Sequence, residues 1–121
     1  MKYKAKSIRA FLGAKDFSES RAFYRQLGFE EIILGDKMSY FKISEEIGFY
    51  LQDYYVKDWV DNTMIFLEVE NLDTLHKQLL DKKLSEQYES VRVSVIKNED
   101  WGREFFMHDP SGVLWHFGVF K

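Results

Sequence analysis

The order of periodic segments along this chain predicts an α+β fold built from two βαβββ modules. Short segments with alternating apolar side chains, typical of strands, surround two segments with helical spacing. The order strand, helix, strand, strand, strand occurs twice, in units of about 50 residues offset by about 55. One module could not cover both faces of its sheet, so we expect one domain over 1–121, with modules at about 1–53 and 61–121.

The first module opens with a strand and a capped helix. Residues 6–13 alternate loosely, as in a strand. Asp16 and Ser18 are both residue types that cap helix N-termini, and a helix is predicted over 18–27. Its inward side chains are predicted to be Ala22, Phe23 and Leu27. Gly28 suits the left-handed position after the helix. Three strands are then predicted, at 29–34, 38–43 and 47–52.

The second module repeats this order after a connector. Residues 53–62 are polar and aromatic without a clear period, which indicates the connector. A strand is predicted over 63–69 and a helix over 72–84, capped by Asn71 or Asp73. The predicted inward side chains of this helix are Leu72, Leu75, Leu79 and Leu80. The remaining predicted strands lie near 90–97, 103–108 and 113–120.

A turn that contains the only proline joins the last two predicted strands. Pro110 fixes φ at the second position of a β-turn, and Asp109 and Gly112 suit the first and last positions. Polar and aromatic side chains are concentrated on this hairpin, namely Trp101, Arg103, Glu104, His108, Trp115 and His116. Their density indicates a functional site.

Composition excludes several classes of function. The hydrophobic fraction of 45% and the aromatic fraction of 17% are ample for a core and for the lining of a pocket. A net charge of −3 and scattered lysines and arginines argue against nucleic-acid binding. The absence of cysteine excludes disulfides and thiolate metal sites. No signal-peptide pattern and no apolar run of about 20 residues is present, so a cytoplasmic protein without membrane partners is predicted. Neither a glycine-rich phosphate loop nor a G-x-S-x-G motif occurs.

Three stretches together resemble a known superfamily. They are KDFSESRAFYRQLGF at 15–29, DNTMIFLEVENLDTLHKQL at 61–79 and WGREFFMHDPSGVLWHF at 101–117. In this order they resemble the vicinal oxygen chelate superfamily, which includes glyoxalase I, extradiol dioxygenases, fosfomycin-resistance enzymes and bleomycin-resistance proteins. Asp-Asn-Thr at 61–63 and Trp-Gly-Arg-Glu-Phe at 101–105 are similar to the bleomycin-resistance proteins in particular.

The resemblance implies an assembly as well as a fold. It implies the glyoxalase/bleomycin-resistance-like fold over nearly the whole chain, and a homodimer whose ligand grooves combine modules from different chains. In some bleomycin-resistance proteins the N-terminal strand is exchanged between subunits with the help of an early proline. Ala10 stands at the matching position here, which argues against that exchange.

The resemblance also locates the places at which catalytic members bind a divalent metal. Those members use His, Glu or Gln at three positions, which fall here on Arg9, Met64 and His116. Arginine is a permanent cation and a thioether is a poor ligand for these metals. We therefore predict no metal and no other cofactor. A set of one glutamate with His108 and His116 is the alternative. His76 is interpreted as a solvated surface histidine.

Alternation along the strands separates two kinds of face. If the three matched positions face a groove, the same face carries Phe11, Phe66, Glu68, Leu114 and Gly118. The opposite face carries Ala10, Leu12, Ile65, Leu67, Val69, Trp115 and Phe117. The second set is uniformly apolar, as expected for a core. The first mixes aromatic, aliphatic and charged groups, which is typical of a binding groove.

Two charged or titratable residues of the groove face have structural alternatives. Arg9 either forms an ion pair with Glu68 or Glu104 across the sheet or contacts a ligand, and both roles are compatible. His116 is either a hydrogen-bonded core histidine or a ligand contact.

The aromatic candidates differ in their sequence contexts. Trp101 follows a charged loop and precedes a glycine, which is a poor context for a core tryptophan, and the resemblance implies a ligand-stacking role for it. Trp59 is a pocket lid, a dimer contact or, unless the connector folds over the groove, an ordinary exposed aromatic residue. Candidates for the groove rim are Tyr40, Tyr50, Tyr54 and Tyr55.

These observations and the resemblance predict a metal-independent binding protein of the bleomycin-resistance type. It would sequester an aromatic or cationic antibiotic-like ligand, such as a bleomycin-like glycopeptide, and contribute to antibiotic resistance. The predicted ligand contacts are Trp101, Arg9, Phe11, Met64, Phe66, Glu68, Glu104, His116, Tyr50 and Trp59. No catalytic residue is predicted. The alternatives are a glyoxalase- or dioxygenase-type enzyme with an atypical metal site, and a binder of an ordinary metabolite.

Overall fold

The computed structural model describes residues 1–121 and contains two sheets and four helices. The chain divides into two compact units, residues 1–56 and 57–121. The elements of the first unit are β1 (Phe11–Gly13), α1 (Phe17–Gln26), β2 (Glu30–Gly35), β3 (Met38–Ser44) and β4 (Ile47–Gln52). The elements of the second unit are α2 (Lys57–Asp61), β5 (Met64–Glu68), α3 (Leu72–Asp81), α4 (Leu84–Gln87), β6 (Arg92–Val93), β7 (Lys97–Asn98), β8 (Gly102–His108) and β9 (Leu114–Phe120). None of the helices has the length and apolar character needed to cross a bilayer.

The two units repeat one sheet topology. The first sheet has the order β1-β4-β3-β2, and the second has the order β5-β9-β8-β6 with β7 also paired to β8. In each unit the first strand pairs in parallel with the last strand, while the other pairs are antiparallel. The predicted α+β fold of two βαβββ modules is therefore confirmed.

Helix α1 lies one residue earlier than the predicted range of 18–27, and Asp16, one of its two predicted caps, begins it. The Asp16 side chain accepts a hydrogen bond from an amide of the first turn at 3.0 Å. At the other end, the amides of Gly28 and Phe29 donate to the carbonyls of Arg25 and Tyr24. This pair of bonds is a Schellman cap, and Gly28 has the left-handed φ of +92° that the cap requires.

The buried face of α1 is centred differently from the prediction. Its buried side chains are Phe17, Ser20, Phe23 and Tyr24, whereas Ala22 and Leu27 are only half-buried. Tyr24 packs against Phe41 and Phe49 of the first sheet, with ring centroids 5.6 and 4.9 Å apart. The sequence pattern did not predict Tyr24 as an inward residue, because a tyrosine has both an apolar ring and a polar hydroxyl.

Strand β1 is shorter than the strand predicted over 6–13. It begins at Phe11, and Ala10 is exposed instead of buried in the core, although its carbonyl accepts a bond from the Tyr50 amide at 2.9 Å. Leu12 is fully buried, as predicted. Backbone pairing with β4 therefore begins at Ala10, one residue before β1 itself, although Ala10 adds no side chain to the core.

The helix predicted over 72–84 is two helices. Asn71 caps α3 by accepting a bond from the Thr74 amide, as predicted, but α3 ends at Asp81. Lys83 then adopts a left-handed φ of 52°, which breaks the helix before α4. Leu72 and Leu79 are buried, Leu75 is half-buried, and Leu80 is exposed, so its predicted inward position is wrong.

The strand predicted over 90–97 is interrupted at Ser94. The Ser94 hydroxyl accepts a bond from the Phe106 amide, which replaces a regular ladder bond and separates β6 from β7. His76 Nε2 donates to the Ser94 carbonyl at 2.7 Å, and its ring lies 4.7 Å from that of Phe105. His76 is therefore a half-buried structural residue, and its interpretation as a solvated histidine is wrong.

The core of the second unit follows the predicted alternation. Trp115 and Phe117 are buried, together with Phe105 and Met107 on the neighbouring strand. Ile65, Leu67 and Val69, also predicted for this face, are half-buried.

The turn between β8 and β9 is organised by one carboxylate. The Gly112 amide donates to the Asp109 carbonyl at 3.1 Å, and Gly112 has a φ of +111°. Asp109 Oδ1 also accepts bonds from the amides of Ser111, Gly112 and Val113 at 2.8–2.9 Å. Asp109 is fully buried, so backbone donors rather than water satisfy this carboxyl oxygen.

The connector predicted over 53–62 contains the short helix α2. The Lys57 ammonium and the Asp61 carboxylate form an ion pair along this helix at 2.6 Å.

Candidate functional site

The first unit carries a cationic and aromatic surface, here called the Arg9 face, formed by Arg9, Phe11, Tyr40 and Tyr50. Phe11, Tyr50 and Tyr40 are neighbours in the register of β1, β4 and β3, so they lie on the side of the sheet opposite α1. The Phe11 ring stacks on that of Tyr50 with centroids 4.7 Å apart.

Tyrosines hold the guanidinium of Arg9. Its Nη1 donates to the Tyr50 hydroxyl at 3.0 Å, and its Cζ lies 4.3 Å from the centre of the Tyr40 ring. The hydrogen bond to Tyr50 raises the pKa of Arg9 above its ordinary value. Arg9 therefore donates its hydrogen bond to a tyrosine hydroxyl. Neither Glu68 nor Glu104, the predicted ion-pair partners, is needed to orient its guanidinium.

The second unit carries the larger aromatic surface, here called the Trp101 face, formed by Phe66, Trp101, Glu104, Phe106, His116 and Phe120. Phe66, His116 and Phe106 are neighbours across β5, β9 and β8. The Phe66 ring lies 5.7 Å from that of Trp101 and 5.5 Å from that of Phe120, and the latter two are 5.4 Å apart. These three rings form a contiguous, solvent-accessible apolar patch.

A carboxylate–imidazole pair lies beside these rings. His116 Nδ1 is 2.9 Å from Glu104 Oε1, and the Glu104 side chain is only 10% exposed. Because a carboxylate only accepts, Nδ1 is the donor in this bond and Nε2 is left without a partner in the chain. No buried polar side-chain atom lacks a hydrogen-bond partner, so His116 Nε2 reaches solvent. The pair can therefore present one oriented imidazole nitrogen to a ligand.

Gly118 leaves room for one ring of this face. A Cβ added there would lie 2.6 Å from Phe66 Cζ and 3.1 Å from Phe66 Cε2. Because real Cβ atoms do not approach another atom as closely as 2.6 Å, the Phe66 ring occupies the space that a side chain at 118 would need.

We expect Gly118→Ala to displace the Phe66 ring and so change the environment of the Trp101 indole. Measured by tryptophan fluorescence, the emission should shift, while the circular dichroism spectrum of the fold stays the same. The destabilisation should be modest, about 1–2 kcal/mol, because a ring end can swing aside. An unchanged emission spectrum would contradict the proposed role of Gly118.

The remaining predicted contacts lie near these faces or outside them. Met64 and Glu68 are exposed at the two ends of β5, and Glu68 is opposite Gly118 in the register. Trp59 lies on α2, outside both sheets, with 64% of its surface exposed. Nowhere in the chain do three His, Asp or Glu side chains converge as metal ligands, so the alternative set containing His108 and His116 is not assembled.

Solved structures share this architecture, although no protein-family model matches the sequence and no curated protein matches it. The bleomycin-binding protein of Streptomyces verticillus, complexed with copper(II)-bleomycin, is 22% identical with a TM-score of 0.82, over 99% of this chain and 100% of that one. The bleomycin resistance determinant encoded on transposon Tn5 is 17% identical with a TM-score of 0.82, over 97% and 99% of the two chains.

This chain has the bleomycin-resistance fold. A third protein with this fold is TnmS3, an antibiotic-binding protein from Streptomyces sp. CB03234, which is 16% identical with a TM-score of 0.74 over 99% of this chain and 100% of that one. The resemblance predicted from the sequence is confirmed at the level of the fold.

Within the bleomycin-resistance fold, the sequence prediction missed two rings of the Trp101 face. Phe106 lies between Glu104 and His108 on the same side of β8, and Phe120 lies two residues beyond Gly118 on β9. Continuing the same alternation to the end of each strand would have identified both residues. Tyr40 was predicted only for the rim, whereas its ring supports Arg9 directly.

Proposed function

We propose that this chain is a small-molecule binding protein of the bleomycin-resistance type, which holds a flat aromatic or cationic ligand on the Trp101 face. The observation that carries the proposal is the exposed group of Phe66, Trp101 and Phe120 beside the His116–Glu104 pair. Large aromatic rings are usually buried, and three adjoining rings are exposed here. A bound ligand would cover them. Proteins of the same fold that bind bleomycin or another antibiotic support this class of ligand.

The chemistry of the Trp101 face defines the ligand it would prefer. Rings stack on other flat rings, and the negative faces of Trp and Phe attract cations. Glu68 on β5 is the register partner of Gly118 on β9, whose open side is filled by the Phe66 ring, so Glu68 adds a negative charge near the patch. His116 Nε2 adds one directional hydrogen bond. Together these groups favour a planar ligand with a cationic or hydrogen-bonding substituent.

We extend the proposal to the assembly. The chain would form a single domain and a homodimer, in which the Arg9 face of one protomer lies opposite the Trp101 face of its partner. Each face is aromatic and solvent-accessible within its own unit, which supports such a pairing. Light scattering during size-exclusion chromatography should give the mass of two 14.5 kDa chains, and a monomer would contradict the pairing.

Binding is proposed to be independent of a protein-held metal and to take place in the cytoplasm. The metal positions of catalytic members of the superfamily fall on Arg9, Met64 and His116, and only His116 is a good ligand for the metals that those members use. We therefore expect dialysis against a chelator to leave the affinity for a metal-free ligand unchanged, as measured by calorimetry. A loss of binding that zinc, nickel, manganese or iron restores would contradict metal independence.

Trp101→Ala should weaken ligand binding about ten- to hundredfold, because it removes the largest ring of the patch. The measurement is isothermal titration calorimetry with metal-free bleomycin as the probe. Trp59→Ala is the matched control, since Trp59 is also exposed but lies on α2. Thermal unfolding should show that both variants remain folded.

Two results would contradict parts of this proposal. Equal affinities of the Trp101 and Trp59 variants would exclude the Trp101 face as the binding surface. No thermal shift of the wild-type protein at high excess of bleomycin would exclude that glycopeptide class as the ligand.

A further inference from the structure

A polar cavity lies at the end of the second unit's sheet that is farther from Trp101. Its volume is about 310 Å³, and it is lined by Glu89, Ser90, Arg92, His108 and Gly112. His108 is the last residue of β8, whereas Trp101 directly precedes the first, so the two ends are about 20 Å apart along the strand. The cavity is therefore separate from the aromatic patch.

Two basic side chains of this cavity are directly opposed. Arg92 and His108 are partners in the antiparallel register of β6 and β8, which brings their Cα atoms to within about 4.5–5.5 Å. Neither side chain has a hydrogen bond, ion pair or ring contact in the chain, and with no buried polar atom left unsatisfied, their nitrogens reach solvent. Adjacent basic groups on paired strands do not stabilise a sheet. Their placement instead suits an anion between them.

The other charged groups around the cavity favour an anion with a single negative charge. Glu89 contributes one carboxylate to the lining. Asp61 Oδ1 lies close to Gly112, but Asp61 is paired with Lys57 at 2.6 Å, so its charge is largely compensated. One guanidinium, one imidazole and one carboxylate favour a monoanion over a dianion.

We propose that this cavity binds the carboxylate group of a small organic molecule. The Arg92 guanidinium would donate two parallel hydrogen bonds to the two oxygens, which is the geometry that arginine and carboxylate share. His108 and the Ser90 hydroxyl would supply further donors, and Glu89 would repel a phosphate dianion. This site is independent of whatever ligand occupies the Trp101 face.

Histidine-detected NMR can test this site, because the chain contains only three histidines. Acetate is titrated at constant ionic strength against chloride, at about pH 6, and the ring signals of His76, His108 and His116 are followed. We expect a saturable shift of the His108 signals alone, with phosphate producing a weaker effect. His108→Gln assigns the signal.

Three variants distinguish specific binding in this cavity from nonspecific attraction of acetate to positive charge. Arg92→Gln should weaken acetate binding at least about tenfold, and Arg92→Lys should weaken it severalfold because the charge remains but the fork is lost. Lys77→Gln is the control, since it removes one positive charge from the same unit on α3.

The proposal is overturned by any of three outcomes: a linear shift without saturation, a shift of all three histidines, or equal effects of Arg92→Gln and Lys77→Gln. A response to phosphate that is stronger than the response to acetate would overturn the assignment of a carboxylate. Loss of bleomycin binding in Trp101→Ala leaves this test unaffected, so the two proposals can fail separately.

Discussion

Asp109→Ala is expected to destabilise the protein by about 3 kcal/mol or more, one of the two largest stability effects expected for a single substitution here. The carboxylate accepts three backbone amides and is fully buried. The alanine side chain cannot accept hydrogen bonds, so the amides of Ser111 and Val113 would lose this acceptor, while the Gly112 amide would keep its bond to the carbonyl of residue 109. The amides of Ser111 and Val113 are in a buried setting, where such a loss is costly.

Urea unfolding at pH 7 measures this effect, with Asp109→Asn as the control. Asparagine retains one oxygen at the position of Oδ1, so we expect it to lose about 1–2 kcal/mol, chiefly because the bonds are no longer charge-assisted. Equal losses in the two variants would show that the negative charge, and not the acceptor, organises the turn. Pro110→Ala, which leaves every amide acceptor in place, should cost less than either.

The local signals in the sequence predicted this turn and the helix caps well. Asp16, Asn71 and Gly28 occupy the cap positions expected of them, because a cap depends on a few neighbouring backbone groups. Alternation likewise placed Trp115 and Phe117 in the core. These predictions use interactions that span only a few residues.

Predictions that depended on contacts between distant segments were less accurate. His76 was interpreted as solvated because its helix neighbours are polar, but its partner is the Ser94 carbonyl, 18 residues away. The break after Asp81 depends on the left-handed conformation of Lys83, a residue type that gives no such signal.

The candidate site shows the same division. Alternation places Phe66 and His116 on one side of their strands, and the structure confirms that the two are register partners. The hydrogen bond between His116 and Glu104 could not be predicted, because it joins diagonal neighbours on two strands whose register is set by the turn at 109–112. The contact of Arg9 with Tyr40 similarly depends on the pairing of β3 with β4.

The second large effect concerns Glu31, which connects β2 to helix α1. Its side chain is 7% exposed and accepts bonds from Arg21 Nε at 2.6 Å, Arg25 Nη1 at 2.7 Å and Ser39 Oγ at 2.6 Å. Burial alone would raise the pKa of Glu31, but the bonds from Arg21, Ser39 and Arg25 outweigh it and lower the pKa to about 2. The carboxylate is thus held in its charged form by its partners.

This lowered pKa makes stability depend on pH in a defined direction. A folded-state pKa of about 2, against an ordinary 4.5, corresponds to roughly 3 kcal/mol of stabilisation. Because the folded pKa is the lower one, this stabilisation is fully present above about pH 4.5 and is lost as the pH falls towards 2.

We therefore expect Glu31→Gln to lower the free energy of unfolding by about 3 kcal/mol at pH 7 and by progressively less below pH 4.5. Urea unfolding of both proteins at a series of pH values measures the difference, in which the titration of all other carboxylates cancels. Glu30→Gln is the matched control, because Glu30 is the exposed neighbour on β2 and should change stability by less than about 0.5 kcal/mol. A wild-type advantage that stays constant from pH 7 to pH 2 would mean that Glu31 stabilises through shape and packing and not through its charge.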